Sequence, residues 1–336
     1  MKEHKGTKLP ALAILVVLVL IGLAVYLLDD TREEPEVQDS GGKTVEEMLA
    51  DNETEEAPVL FDNKWYRRNP DVETYLLIGV DQTGEAQSSG SYNSGGQADV
   101  LLLLVVDHGQ QCYTILQLNR DTMTAVDTLG VTGAVVETNI EQLALAHAYG
   151  NGLESSCENT ARAVSNLLYE TKIDGYLSLR MEGLPVLNDL LGGVPVTVRD
   201  DFSQIDPSLV QGETVTLRGQ QVLSYIRTRH YVGNSTNLER MERHRGYMKS
   251  FSDELKNQMA DDPNVVLELY AAAEPYMVTN ISEKRISNLA NTARNYNNRG
   301  IVTIDGENRM GEEFMEYYAD ENSIKETVLA LFYLPV

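Results

Sequence analysis

Three short apolar runs constrain this chain more than anything else in its 336 residues. They read TYLLIGVD, DVLLLLVVD and CYTILQLN. Each lacks the polar alternation of a strand with one wet face. Such runs belong to strands buried on both faces, which need other structure packed on each side. HGQQ, a connection of hairpin length, separates the second run from the third.

Helical patterns follow. SSCENTARAVSNLLYE puts Cys157, Ala161, Val164 and Leu168 on one face, with serines available to cap its start. DGYLSLRMEGLPVLNDLLGGVPVTV reads as a strand, a helix ended by Gly192 and Gly193, and another strand. A helix is expected after Leu217, turning Val222, Leu223 and Ile226 inward. NLERMERHRGYMKSFSDELKNQM lines up Leu238, Met241, Met248, Leu255 and Met259 on a long amphipathic helix. Strands interleaved with helices define an α/β layered domain. The amphipathic tail to Val336 is read as part of it.

The N-terminus sets the compartment. Residues 10–28, PALAILVVLVLIGLAVYLL, carry no charge and are long enough for a transmembrane helix, which takes roughly 20 apolar residues. Lys2, Lys5 and Lys8 precede this stretch, while Asp29, Asp30, Glu33 and Glu34 follow it. The positive-inside rule keeps residues 1–9 cytoplasmic and exports the rest. AVYLLDDTREE has no small-residue cleavage site of the signal-peptide kind, so the segment reads as a retained single-pass anchor in the cell membrane. Residues 29–64 form an acidic extracellular linker, and residues 65–336 the folded domain. A net charge of −24 argues against nucleic acid or an anionic surface as general partners, since both need basic patches. Cys112 and Cys157 fall in the exported part, where disulfides persist; an even count fits one bridge or two buried thiols.

Two groups of charges carry chemistry. In an antiparallel hairpin, residues equally far from the turn face each other. Asp99 opens one strand and Arg120 closes the next, equidistant from the centre of HGQQ. Asp81 ends its own strand, and the glycine of GVD is read as room for a ligand. Asp81, Asp99, Arg120 and Asp121 thus gather at one rim, where ligands bind in α/β sheets. Two carboxylates there suit a hard cation such as Mg²⁺; alternatively, arginines neutralise them. In the second group Arg227 and Arg229 flank Thr228, on one face if extended. Arg240 and Arg243 lie one helical turn apart, with His244 and Tyr247 on the same side. Guanidinium groups grip phosphate oxygens in pairs, and four in one window of an acidic chain point to an anion site. The competing reading is a solvated face balanced by Glu239 and Glu242.

YLLIGVD, GGQADVLLLLVVD, LQLNRDTMT, LALAHAYGNG, LNDLLGGVPVTV, LRGQQVLSYIRTR and NLERMERHRGYM occur in this order. Through these motifs, over roughly residues 75–250, the chain resembles the LytR-CpsA-Psr (LCP) proteins. The resemblance implies an α/β/α layered domain with a mixed central sheet, behind one transmembrane helix. It implies a phosphotransferase that moves a glycopolymer from a polyprenyl pyrophosphate carrier onto peptidoglycan, with Mg²⁺ as cofactor. Carried over by motif, Asp81 and Asp99 are metal-side carboxylates, and Asp99 is also a candidate base for the acceptor hydroxyl. Arg120 touches the pyrophosphate and Asp121 orients it. Arg227, Arg229, Arg240 and Arg243 complete the cradle.

Departures from the family pattern are Gln97 for an arginine, Asn119 for a proline, Asn237 for an aspartate, His244 for a glutamine, and no lysine ahead of the HAY segment. These differences keep two alternatives open: a non-catalytic surface module that binds lipid-linked phosphate, and a hydrolase of the carrier link. The cysteines add an expectation that a Cys112–Cys157 bridge fastens helix to sheet behind the rim.

Overall fold

The computed structural model describes residues 58–336 except 229–231, 233–236, 263–264, 283–284, 286–287, 290–294 and 313. The expected cytoplasmic tail, the anchor and nearly all of the linker lie outside the described residues. Among the described residues no helix is long and apolar enough to cross a membrane. The described chain forms two compact units: residues 182–277 with 281–296, and residues 58–181 with 278–280 and 297–336.

The second of these units is built on a six-stranded sheet. Its order is β11 (Met277–Thr279), β8 (Gly175–Arg180), β3 (Val72–Val80), β4 (Ala98–Asp107), β5 (Cys112–Leu118) and β12 (Asn297–Thr303). β4 runs antiparallel to β3 and β5, while β8 and β12 run parallel to their neighbours. The sheet is therefore mixed, as expected. All of β5 is buried, Thr114 and Gln117 included, which is why its sequence is mostly apolar instead of alternating. One face packs Leu76, Ile78, Leu103 and Leu116 against Val164 of α2 (Glu154–Leu167) and Val328 and Phe332 of α7 (Glu321–Phe332). The opposite-facing Tyr75, Leu77, Leu102 and Ile115 are also buried.

The serines expected to cap α2 lie inside its first turn, and Leu153 is the cap. The Ser155 and Ser156 hydroxyls instead accept from the Asn151 and Gly152 N–H groups, at 3.1 and 2.8 Å. At α7 the cap is the usual kind, the Asp320 carboxylate accepting from the Ser323 N–H at 2.8 Å. Ordered pairing begins at β1 (Val59–Phe61) against β2 (Lys64–Arg68), ahead of Trp65. The last strand, β15 (Tyr333–Pro335), joins β2, so the C-terminal tail is part of this unit.

Both cysteines are buried free thiols, and the expected bridge is absent. Cys157 lies against Ser178 of β8, whereas Cys112 is on β5, three strands across the sheet. At about 4.8 Å per strand that is roughly 14 Å, far beyond the ~7 Å Cα limit of a disulfide. Cys112 also opens β5 at the hairpin, so it lies at the far end from Arg120.

The other unit holds α3 (Gly183–Leu190), β9 (Val194–Thr197), β10 (Thr214–Leu217), α4 (Gln221–Arg227), α5 (Asn237–Asp261) and α6 (Val265–Ala273). α3 ends as expected: Gly192 and Gly193 adopt φ of +78° and +95°, and the Gly193 N–H reaches the Asn188 carbonyl at 2.9 Å. Asn188 is buried between elements. It donates to the Leu217 carbonyl at 2.9 Å and accepts from the Tyr247 hydroxyl at 3.1 Å. Val222, Leu223 and Ile226 are buried on α4.

One packing detail corrects a sequence expectation. Gly79 does not open space for a ligand; it makes room for a side chain across the sheet. A Cβ there would lie 2.9 Å from Val100 Cβ and 3.2 Å from its Cγ2. Gly79→Ala is expected to cost about 1–3 kcal/mol, as overpacking does. Val100→Ala on that background should recover part of it, read from the urea midpoints of both variants.

Candidate active site

The rim of the sheet is shaped by a register break. Gly79 pairs with Val100 but Val80 pairs with Ala98, so Asp99 is the extra residue of a β-bulge. On its other side β4 stays in regular register with β5, Leu101 facing Leu118. Continuing that register sets Asp99 opposite Arg120. A bulge bends its strand and re-aims a side chain; here the re-aimed carboxylate is bonded by Arg120 Nη1.

Arg120 serves several acceptors. Its Nε donates to Asp121 Oδ1 at 3.2 Å and its Nη2 to Gln97 Oε1 at 2.5 Å. Asn119 takes the place of the family's proline by making the turn itself. Its Oδ1 accepts from the Asp121 N–H at 3.0 Å, and its carbonyl accepts from Thr122 N–H at 3.1 Å. An Asx side chain bonding the backbone two residues on does the work of a rigid turn residue. Asp81 stands beside the group, its N–H donating to the Gln97 carbonyl at 3.0 Å. The four predicted rim residues are thus neighbours.

What holds the two halves of the rim together is the segment leading to the single helical turn α1 (Leu145–Ala148). Ala144 donates its N–H to the Arg120 carbonyl at 2.9 Å and accepts from the Ala98 N–H at 3.1 Å. Leu143 N–H bonds the Thr122 carbonyl at 2.8 Å. Beyond Ala144, Gly95, Asn93 and Ser89 donate to the carbonyls of Ala148, Tyr149 and Asn151. His147 is buried, with Nδ1 2.9 Å from the Gly96 carbonyl, so this nitrogen is the protonated one. From the C-terminal side, β14 (Met315–Ala319) presses its Tyr317 N–H onto the Asp121 carbonyl at 2.8 Å. Sequence patterns did not assign Ala144, His147 or Tyr317 to the site. Their roles run through backbone groups, and the HAY motif was the sole signal.

Formal charges at the rim are three carboxylates against one guanidinium, leaving −2 for Asp81, Asp99, Arg120 and Asp121. Asp99 and Asp121 both pair with Arg120, which offsets one of their two charges. Among the described residues no group of three or more His, Cys, Asp or Glu side chains is arranged to hold a metal alone. The donors available are all hard oxygens. That set fits Mg²⁺, which takes one or two carboxylates and completes its shell with water and substrate phosphate.

In the smaller unit, Arg229 lies outside the described residues. Arg227 is exposed as the last residue of helical α4, so extended backbone starts only after it, at Thr228. Arg240 and Arg243 are buried on α5; the face is not a solvated one. Arg243 is committed to the protein. Nη1 pairs with Asp200 at 2.8 Å, Nε donates to the Tyr225 carbonyl at 3.2 Å, and Nη2 bonds the Thr228 carbonyl. Phe202 stacks beneath it, 5.6 Å from ring centre to guanidinium. His244 adds a bond from Nε2 to the Ile226 carbonyl at 3.2 Å. Together they cap the C-terminus of α4, whose last carbonyls have no partner within the helix.

The description LytR_cpsA_psr family fits residues 36–332. The chain is 27% identical over 214 residues to the polyisoprenyl-teichoic acid–peptidoglycan teichoic acid transferase TagU of Halalkalibacterium halodurans, covering 64% of this chain and 60% of that one. It is 28% identical over 270 residues to the biofilm regulatory protein A of Streptococcus mutans, covering 74% and 62%. With the TagU of Enterococcus faecalis it shares 29% over 245 residues, covering 72% and 69%. The chain thus spans about 60% of the length of the first two relatives. In fold it is similar to Bacillus subtilis TagV, with a TM-score of 0.58 at 18% identity, covering 78% of this chain and 96% of that one. It is similar also to TagT bound to LI-WTA, with a TM-score of 0.56 at 19% identity, covering 78% and 90%.

The buried histidines make stability depend on pH. Burial pushes His147 down to about 4, aided by the Arg180 charge and opposed by the Gly96 and Gly95 carbonyls. Burial, with help from Arg240, pushes His244 down to about 3. Both imidazoles are neutral when folded and take a proton near 6.5 when unfolded, so their contribution is complete above pH 6.5. It is lost as pH falls toward the folded values, by up to about 1.4 kcal/mol per pH unit for each. A His147→Asn, His244→Gln double variant keeps both donors and cannot titrate. Its urea midpoint should fall less than the wild-type midpoint between pH 6 and 4.5; equal slopes would contradict the assignment.

Proposed function

This chain belongs to the LytR_cpsA_psr family, and we propose that it transfers a glycopolymer from a polyprenyl pyrophosphate carrier to a peptidoglycan hydroxyl. The protein is held at the cell membrane by residues 10–28, with the folded part outside. The observation that carries this reading is the rim itself: Asp81, Asp99, Arg120 and Asp121 brought together at one strand end by a bulge and the Ala144 bridge. The TagU relatives, transferases by name, support it.

In the reaction the acceptor hydroxyl oxygen attacks the phosphorus nearer the sugar. A phosphodiester to peptidoglycan forms, the bond to the carrier-side phosphate breaks, and polyprenyl phosphate leaves. Asp99 takes the hydroxyl proton. Arg120 faces the pyrophosphate oxygens while Asp121 and Gln97 fix its plane. Gln97 removes the positive charge the family usually has there, so more of the neutralisation falls to the remaining groups. Mg²⁺, held by Asp81 and Asp99, would neutralise the charge that builds on the leaving phosphate. Arg227, Arg229 and Arg240 are assigned to the pyrophosphate by motif. Arg243 is assigned the bracing of α4 in place of direct contact.

The full chain, lipid-linked teichoic acid precursor, peptidoglycan oligomer and Mg²⁺ should yield a phosphodiester-linked product, followed by mass spectrometry. Asp99→Ala should lower its rate by about 10²–10⁴-fold, the usual weight of a proton-transfer group. Arg120→Ala should cost about 10²–10³-fold, as for loss of an oxyanion donor, and chelation with EDTA should stop transfer. A wild-type chain that binds the lipid-linked donor without product would instead be a non-catalytic binding module. Free glycan phosphate formed without acceptor would mark a hydrolase.

A further inference from the structure

The two acids of the rim are the ends of one loop. It runs from Asp81 through QTGEAQSSGSYNSGGQ, residues 82–97, to Asp99. Its second half is fastened by the bonds from Ser89, Asn93 and Gly95 to residues 148–151. Its first half has no such ladder. Among the described residues the backbone of 83–87 is hydrogen-bonded by one side chain, Arg180. Nη1 donates to the Thr83 carbonyl at 3.3 Å and Nη2 to the Gln87 carbonyl at 2.8 Å.

Arg180 is an expensive way to hold a loop. It closes β8, where it is paired in register with Val80, next to Asp81. It is 6% exposed and has no carboxylate partner among the described residues. Burying a cation without a counter-charge costs several kcal/mol, and burial accordingly lowers its proton affinity. An apolar side chain of similar size would fill the space without that cost. It could not bridge two carbonyls four residues apart in the chain, as a planar guanidinium with fixed donors does.

We propose that Arg180 is a positioning residue of the transfer reaction, clamping residues 83–87 so that Asp81 is held in fixed relation to Asp99. The inference rests on the transferase reading above. Arg180 lies beneath the loop, on the side of the sheet that carries Tyr176 and the α2 contacts, so it acts through Asp81 and not on the substrate.

Arg180→Met removes both bonds and keeps the volume; Arg180→Lys keeps the charge but offers a compact donor that serves one carbonyl at a time. Hydrogen exchange on the full chain reads the loop, and single-turnover transfer reads the reaction. Arg180→Met should speed exchange in the peptides covering 82–97 and leave β3, β4 and β5 unchanged. Its transfer rate should fall about 10–100-fold, the usual effect of losing a supporting contact behind a site, with the KM for the lipid-linked donor little altered. Arg180→Lys should fall between the two. Unchanged loop exchange in Arg180→Met overturns the clamp, as does faster exchange spread through the central strands. Faster loop exchange with a wild-type transfer rate overturns the positioning role. If the wild-type chain transfers nothing, the transferase reading fails, and the clamp stands or falls on the exchange data alone.

Discussion

The rim depends on one alanine whose side chain does nothing. Ala144 spends its N–H on the carbonyl of Arg120 and its own carbonyl on the N–H of Ala98. Ala144 and Ala98 are fully buried, where an unmade backbone bond is costly and a made one is held firmly. The ends of β4 and β5 are therefore fixed to each other through a third segment, and the Asp99–Arg120 contact is a consequence of that fastening. The bulge at Asp99 and the Asx turn at Asn119 then orient the two side chains over a distance the backbone has already set.

The electrostatics follow from scarcity of positive charge. In a chain of net charge −24, a pyrophosphate is repelled unless local cations outweigh the field. At the rim one guanidinium is shared by two carboxylates, so the protein alone leaves a deficit there. In the proposed reaction a divalent cation held there would offset both repulsions: acid against acid, and acid against phosphate. Arginine elsewhere in the fold is used differently. Arg243 and Arg180 are buried and donate to backbone carbonyls, at the end of α4 and in the 83–87 loop. A planar group with five donors suits that task as well as it suits phosphate, which is why arginine content by itself overstates the anion site.

Three of the substitutions that set this chain apart from the family pattern have a visible local role. Asn119 builds by side-chain bonding the turn that proline would impose. His244, neutral in its buried place, caps α4 beside Arg243. Gln97 keeps a polar contact to Arg120 but carries no charge. Of these, Gln97 changes the electrostatics of the rim, whereas the other two preserve shape.

Much of this molecule was legible in its sequence. The continuous apolar runs of β3, β4 and β5 declared doubly buried strands, because polar side chains have nowhere to go in such a layer. Counting from HGQQ placed Asp99 opposite Arg120, because hairpin register is a matter of arithmetic once the turn is known. Gly192 and Gly193 announced the end of α3 through the left-handed backbone they alone tolerate well. Other features were decided only by the tertiary structure. The bulge that re-aims Asp99 and the Ala144 bridge depend on backbone atoms that every residue possesses, so no residue type signals them. The separation of Cys112 from Cys157 depended on strand order, and the burial of Arg243 on what packs around α5. Periodicity along a chain reports which faces are dry; which groups meet across space is written in contacts between segments that the chain order leaves far apart.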